Sequence, residues 1–386
     1  MKMNNIYMDH AASTPIHPEV AEVMMKVMTE QYGNASSIHS FGRAAKRLIS
    51  SARDQISAVI DCRPEELVFT GGGTESDNLA LFGIAAARTQ QGKHIITTTV
   101  EHHAVLHTCQ RLEEDGYKVT YLPVDRYGRI HPGQVAEAIR PDTILVSVMY
   151  ANNEVGTIQP IAEIGQITRE RGIAFHVDAV QSLGAIPIRL SELPVDLMSF
   201  SSHKINGPQG VGALYVQRNI KLEPLQYGGL QERTRRAGTE NMAGIAGFAK
   251  AAELVKREWS ARTSRDEELR KTMLAELDEQ IGFSRYQING DPEHHLAHIL
   301  NISFPECDTE TLLMNLDMEG IAIASGSACT SGSLEPSHVL EAMHLAPELL
   351  QSAVRFSFGL GNTIEEVKIT AKKIATILDR IRNRKY

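Results

Sequence analysis

The chain has 386 residues, 42% of them apolar and 22% charged, with a formal net charge of −8. That length carries two domains with an ample core, and the composition is that of an ordinary soluble globular protein. The negative balance and the lack of a long Lys/Arg cluster argue against direct nucleic-acid binding, and no apolar run approaches a membrane span.

The N-terminal "MKMNNIYMDHAAST" has no apolar leader region, so a cytoplasmic location is expected. The four cysteines, Cys62, Cys109, Cys307 and Cys329, form no CxxC pair. Neither a zinc ribbon nor a disulfide framework is indicated.

From residue 67 to 216, β-branched runs alternate with helix-like segments. The strand windows are 67–70, 94–100, 118–122, 143–150, 173–177, 196–201 and 212–216. This alternation predicts an α/β fold, a mostly parallel sheet covered by helices on both faces. Ligands of such sheets bind at the carboxyl ends of the strands. From about residue 247 a long charged amphipathic helix follows, then short strands in "HILNISF" and "AVRFSFG" and a final helix. The expected organisation is a large domain over 15–250 and a smaller α+β domain made of 1–14 and 251–386.

The strand ends carry the chemistry. "FTGGGTESDNLAL" runs from a strand through three glycines into a helix start at Thr74. Glycines permit close backbone approach and a helix N-terminus offers free N–H groups, a phosphate cradle if not merely a tight turn. In "VEHHAVLHT" a histidine at a strand end can lie flat on an aromatic ring. His103 and His107, spaced i, i+4, leave a metal site as the competing reading, although no HExxH pattern accompanies them. In "AFHVDAVQS", Asp178 follows an apolar strand and is either a helix N-cap or the partner of a protonated ring nitrogen. "SFSSHKING" then delivers Lys204 at the edge of the core, among the donors Ser201, Ser202 and His203. A lysine withdrawn from water becomes an amine nucleophile able to form a Schiff base. Phosphate cradle, ring-nitrogen acid and Schiff-base lysine together are what pyridoxal 5′-phosphate requires.

Two further stretches extend this reading. Cys329 lies in "IAIASGSACTSGSLEPSHVL", a run of small residues without apolar periodicity, and is expected as a thiolate nucleophile on an exposed arm. Cys62, Cys109 and Cys307 have no such setting and read as structural. Arg355, in the apolar "SAVRFSFG", needs a bidentate partner, either a structural carboxylate or the α-carboxylate of a substrate.

With these motifs in order, and with "YMDHAASTP", "YGNASSIHSFGR", "ANNEVGTIQPI", "SFSSHKINGPQGVGALYV" and "RRAGTEN" beside them, the chain resembles the cysteine desulfurases. The likeness is to the NifS/IscS-like group of class V aminotransferase-fold pyridoxal enzymes, and it covers nearly the whole sequence. The resemblance implies an aspartate aminotransferase-like, fold type I homodimer that converts L-cysteine to L-alanine. Its catalytic set would be Cys329, Lys204 and His102, with His102 stacked on the ring and His103 on the helix side. Asp178 would pair with the pyridine nitrogen and Gln181 with the ring hydroxyl. Gly73, Thr74, Ser201 and His203 would hold the phosphate, with Thr239 reaching in from the second subunit. Asn153 and Arg355 would bind the substrate carboxylate, with Asn34 nearby, and Cys329 would receive the sulfur as a persulfide. No metal is implied.

A sulfur-acceptor protein is the implied partner. The chain ends "ILDRIRNRKY" soon after its last helix, without the extended tail on which IscS-type members dock an iron–sulfur scaffold. A dedicated tRNA-thiolation or cofactor-biosynthesis acceptor is therefore an expectation beside the iron–sulfur scaffold. Within the same fold, an aminotransferase or a selenocysteine lyase is the nearest alternative, and a non-enzymatic sulfur carrier the more distant one.

Overall fold

The computed structural model describes residues 5–326 and 336–383. In chain order the strands are β1 (Ile6–Tyr7), β2 (Leu67–Thr70), β3 (His94–Thr98), β4 (Lys118–Leu122), β5 (Thr143–Ser147), β6 (Ala174–Asp178), β7 (Leu197–Ser201), β8 (Gly212–Val216), β9 (Gln287–Asn289), β10 (Ile299–Ser303), β11 (Ile321–Ala322) and β12 (Ala353–Ser357).

Seven of them form one sheet in the order β2-β8-β7-β6-β5-β3-β4. Neighbours from β7 to β4 run parallel, while β8 is antiparallel to both β7 and β2. The mixed but mostly parallel sheet bears out the expected α/β class. β3 lies between β4 and β5, so the strand order reverses there and leaves a crevice at the carboxyl ends. Two windows prove longer than their strands. The windows 94–100 and 143–150 stop as strands at Thr98 and Ser147. The next residues leave the sheet at this reversal and lead to His102 and Asn153.

Phe175 and Phe200, fully buried on β6 and β7, exemplify the sheet's main core. Burying each such ring is worth about 1.5–3 kcal/mol. The helices that matter for the site are α1 (Pro18–Glu30), α2 (Ser40–Ile60), α3 (Gly73–Ala87) and α4 (His103–Glu114), followed by the long helix Met242–Ile281. That helix starts five residues before the predicted point, because the Asn241 side chain accepts the Gly244 N–H at 3.0 Å and caps it.

A second sheet, β12-β10-β9, and the parallel pair β1–β11 enclose another core around Met8, Leu300, Phe356 and Ile374. The long helix serves both cores: Phe248 and Leu254 pack in the first, Leu269, Met273 and Leu277 in the second. Val339, Leu340 and Met343 pack in the first core although Ala353, ten residues on, begins the second sheet's β12. The N-terminal β1 brings residues 9–14 across the face where the two cores meet.

Candidate active site

The carboxyl ends of the sheet open into a cavity of about 410 Å³ lined by Lys204, Asp178, Gln181, His102, Asn153 and Arg355, with Gly73, Thr74, Ser201 and His203 on one side. Ten of the predicted residues thus converge from five sheet strands and β12. A wider hollow of about 750 Å³ adjoins it on the glycine side and reaches Arg235 and Arg236.

Lys204 ends a short 3₁₀ turn, Ser202–Lys204, that follows β7 directly. Its Nζ donates to the carbonyls of Ala11 (2.5 Å) and Ala12 (2.9 Å). Gln181 Nε2 donates to the same Ala11 oxygen at 2.9 Å. The "DHAAST" stretch therefore anchors two site side chains through its backbone, a role its sequence did not announce.

Asp178 is the last residue of β6, and its Oδ1 accepts the Val180 N–H at 2.9 Å. Burial pushes its carboxyl up to about 6, against the pull of that N–H and of Lys204. Beneath it lies a buried polar row. His176 sits two residues earlier on the same strand and contacts Ser147 Oγ (2.8 Å) and Ser199 Oγ (2.9 Å). Its Nε2 is 3.5 Å from Asp77 Oδ1. Burial lowers His176 to about 3. Burial, with the charge of Asp178, holds the Asp77 carboxyl well above the usual carboxylate range. Glu101, which accepts from Thr98 Oγ1 (2.7 Å) and Met149 N (3.0 Å), is pushed by burial to about 8. Burial thus disfavours the charged form of each of these groups, while Asp178, on the cavity wall, has the nearby Lys204 to favour its charge. Asp77, Glu101 and His176 escaped sequence reading. The signal for His176 was its place in "AFHVD", two residues from Asp178 and hence on the same strand face.

His102 is the N-cap of α4, its Nδ1 accepting the Ala104 N–H at 3.1 Å. Burial and then Lys204 lower it to about 4, so the ring facing the cavity is neutral imidazole. His103 begins the helix outside the lining, as expected. Its ring stacks on His107 at 4.9 Å and lies 4.8 Å from His338. Among the described residues, no group of three or more His, Cys, Asp or Glu side chains is arranged to hold a metal ion.

On the other side, Gly72 precedes α3 with φ +152° and supplies no capping side chain. The first N–H groups of this fifteen-residue helix are left for a ligand. A Cβ at Gly73 would stand 2.6 Å from Val180 Cγ2, so the glycine lets the cradle close on the loop after β6. His203, whose Nδ1 lies 3.2 Å from Ser13 Oγ, is lowered to about 4 by burial and by Lys204.

Arg355 comes from the second core and is 2% exposed. It pairs with Asp9 (Nη2–Oδ1 2.8 Å) and donates from Nη1 to the Asn153 carbonyl at 2.9 Å. Its buried Nε has no hydrogen-bond partner among the described residues. The structural ion pair is present, and the guanidinium also lines the cavity.

Two predicted residues lie elsewhere. Asn34 is exposed, its Oδ1 accepting Ser36 N at 2.8 Å in a local turn, and it does not line this cavity. Thr239 is exposed just before the long helix, on a segment pinned by buried Glu232. Glu232 binds Arg53 bidentately (2.6 and 2.8 Å) and accepts the Phe69 N–H. Cys329 falls outside the described residues. Cys109 and Cys307 are buried, and Cys62 is half-buried with its thiol pushed by burial to about 12.

These residues fit pyridoxal phosphate. A carboxyl reluctant to ionise alone matches a ring N–H⁺, an uncapped glycine-edged helix start matches a phosphate, and a lysine amine lines the same cavity. The sequence matches the family described as Aminotransferase class-V over residues 6–369. A Bacillus subtilis (strain 168) protein is 51% identical over 380 residues, 98% of this chain and all of that one. A protein named Cysteine desulfurase IscS from Dictyoglomus turgidum is 47% identical over 98% of this chain and 95% of its own. Among solved structures, a NifS-like protein superposes with TM-score 0.91 at 38% identity, covering 97% of this chain and 100% of that one. A structure described as SspA in complex with cysteine superposes with TM-score 0.81 at 36% identity, over 92% and 98% of the two chains. The strand-end lysine, aspartate and histidine thus sit in a chain that belongs to the class V aminotransferase family.

Proposed function

We infer that the protein is a pyridoxal 5′-phosphate-dependent cysteine desulfurase. The observation that carries this is the meeting of the Lys204 amine and the Arg355 guanidinium in one cavity, in a chain 47% identical to a named desulfurase over 98% of its length.

Gly73 and Thr74, with Ser201 and His203, would hold the phosphate, Asp178 the ring nitrogen, Gln181 the ring hydroxyl and Lys204 the aldehyde end. Bound there, pyridoxal phosphate supplies the electron sink that makes the substrate Cα–H acidic and the Cβ–S bond labile. Arg355 and the Asn153 region orient the L-cysteine carboxylate. The Lys204 amine, held in the same cavity, would take the Cα proton and return one. His102, neutral, offers a flat face without adding charge. The Cys329 thiolate attacks the substrate sulfur. An S–S bond forms, the Cβ–S bond breaks, and the carbon keeps the electron pair and a proton. L-cysteine plus the Cys329 thiol becomes L-alanine plus the Cys329 persulfide. The carbon is reduced and the transferred sulfur oxidised, with no outside reagent.

A homodimer completes this reading. Exposed Tyr32, Ile38 (91%), Phe41, Tyr227 (82%) and Leu230 form unusually apolar surface on the segments that carry Asn34 and lead to Thr239. In a twofold pair both residues would serve the partner's cavity. The persulfide would pass to an acceptor protein, either an iron–sulfur scaffold or a dedicated tRNA-thiolation or cofactor-biosynthesis protein. A reducing cytoplasm suits a thiol that must be free to act.

The test is L-alanine formed from L-cysteine and a thiol reductant, with Cys329→Ala beside the wild type. Alanine from the wild type and almost none from the variant is the expected outcome. Pyruvate and an aminated cofactor in place of alanine would make the protein an aminotransferase.

A further inference from the structure

Thr14 lies outside the lining of the Lys204 cavity, and the reaction above gives it no part. Its hydroxyl nonetheless ties the N-terminal segment to the turn that carries Lys204, on both sides of that lysine. Thr14 Oγ1 donates to the His203 carbonyl at 2.7 Å and accepts the Asn206 N–H at 2.8 Å. A threonine hydroxyl has one proton to donate and lone pairs to accept with, so it serves both groups at once. Around this joint, the Thr14 N–H donates to the same His203 carbonyl at 3.1 Å, and Asn206 Nδ2 donates to the Pro15 carbonyl at 2.9 Å. Asn206 takes left-handed backbone (φ +63°), which asparagine tolerates.

The same segment is held from the other side. Ser357, fully buried on the strand of Arg355, accepts the Ala11 N–H on its Oγ at 2.9 Å. Between these two fixings lie the Ala11 and Ala12 carbonyls, and both accept from Lys204 Nζ. A lysine ammonium has three protons to donate and no acceptor. Carbonyl oxygens therefore favour it over the free amine, and hydrogen bonds from a charged donor are the stronger kind. An amine that forms a Schiff base and carries a proton passes through both states. When Nζ takes the Cα proton, the C–H bonding pair stays with the substrate, and the new ammonium has two oxygens to rest on. How firmly they hold it depends on where Thr14 and Ser357 place them.

We propose that Thr14 is a positioning residue for Lys204, docking residues 11–14 on the lysine's turn so that the Ala11 and Ala12 carbonyls form a resting site for the protonated amine. It acts through the backbone of that segment, from outside the cavity. The inference rests on the reading of Lys204 as the Schiff-base lysine that moves the Cα proton.

The experiment compares wild type, Thr14→Val, Thr14→Ser and Ser357→Ala in two measurements. Exchange of the L-alanine Cα proton in D₂O, taken per cofactor-loaded site, reports proton transfer by Lys204 without any sulfur step. The rate at which acetic anhydride acetylates Lys204, read on its peptide, reports how firmly the amine is held before any substrate is present. It is measured at one pH on the full chain freed of cofactor, with recovery of exchange on reloading as the check that the fold is intact. Thr14→Val keeps the side-chain shape and loses both hydroxyl bonds. Its Lys204 is expected to acetylate about 3- to 10-fold faster, the scale of one lost hydrogen bond. Its exchange is expected to fall by about 10-fold in kcat, with the KM for L-alanine within about 2-fold of wild type. Thr14→Ser, which keeps the hydroxyl, restores both rates. Ser357→Ala shifts both in the same directions by less, and it is judged by the same pair of changes if Thr14→Val does not fold. A change in only one of the two measurements would overturn the proposal, since Thr14 would then not act by holding the amine. So would wild-type behaviour of Thr14→Val, or Thr14→Ser behaving like Thr14→Val. Exchange that survives Lys204→Ala would instead overturn the reading of Lys204 as the proton carrier, and this inference with it.

Discussion

Lys204, Asp178 and His102 reach the cavity from the ends of strands in one sheet, each within four residues of its strand. Arg355 holds its place through partners 346 and 202 positions away in the chain, Asp9 and Asn153. The first group inherits its geometry from sheet register: Asp178 sits opposite Ser199, and Ser201 opposite Gly212. The arginine depends on how two cores and the N-terminal segment pack. In the proposed reading the cofactor end is thus a floor built on the strand ends of one sheet, and the substrate and sulfur end a wall of distant contacts. Breaking the floor should abolish chemistry, while loosening the far wall should alter substrate handling and sulfur transfer.

The largest effect is expected from the floor. Lys204→Ala removes the group proposed to move the Cα proton, and alanine formation should fall by about 10³-fold or more, with Cα exchange falling alongside it. A variant that loses alanine formation but keeps exchange would place proton transfer on another residue. On the wall, Asp9→Ala leaves Arg355 without its ion-pair partner. A charged hydrogen bond of this kind is worth about 1.5–3 kcal/mol. The KM for L-cysteine should rise by about 10- to 100-fold, with little change in cofactor affinity. Loss of cofactor in that variant would erase the distinction between floor and wall.

The smallest effect is on stability and concerns the buried row below Asp178. Burial lifts Glu101 to about 8 from the ordinary 4.5. The folded chain therefore keeps a proton that the unfolded chain has lost, and this contribution is fully present below about pH 4.5 and lost as pH rises through 8. Glu101→Gln keeps the acceptor oxygen and removes the titration. The melting temperature of the cofactor-free variant should fall less steeply than that of the wild type between about pH 5 and 8. Parallel slopes would mean that Glu101 is ionised in the folded chain.

The same contrast explains what the sequence could disclose. Asp178 and Lys204 stand out because an apolar run followed by a polar residue marks a strand end, and parallel sheets gather such ends on one side. The seven strand windows and the glycine-to-helix transition before Thr74 are local patterns of this kind. Ala11 and Ala12 contribute carbonyl oxygens, which no side chain advertises. Thr14 looks like any loop threonine until His203 and Asn206 are brought to it. Asp77 reads as a helix residue, and its burial against His176 follows only from the crossing of α3 over the sheet. Arg355 was legible as an arginine needing a partner, but Asp9 could not be named from spacing.

The most direct test of the account is the mass of the Cys329 peptide after the holoenzyme meets L-cysteine without reductant. The account predicts one added sulfur atom on Cys329, formed in step with one L-alanine per site, removed by a thiol reductant and absent in Lys204→Ala. Alanine accumulating while Cys329 stays unmodified, or the sulfur appearing on Cys62, Cys109 or Cys307 instead, would contradict it.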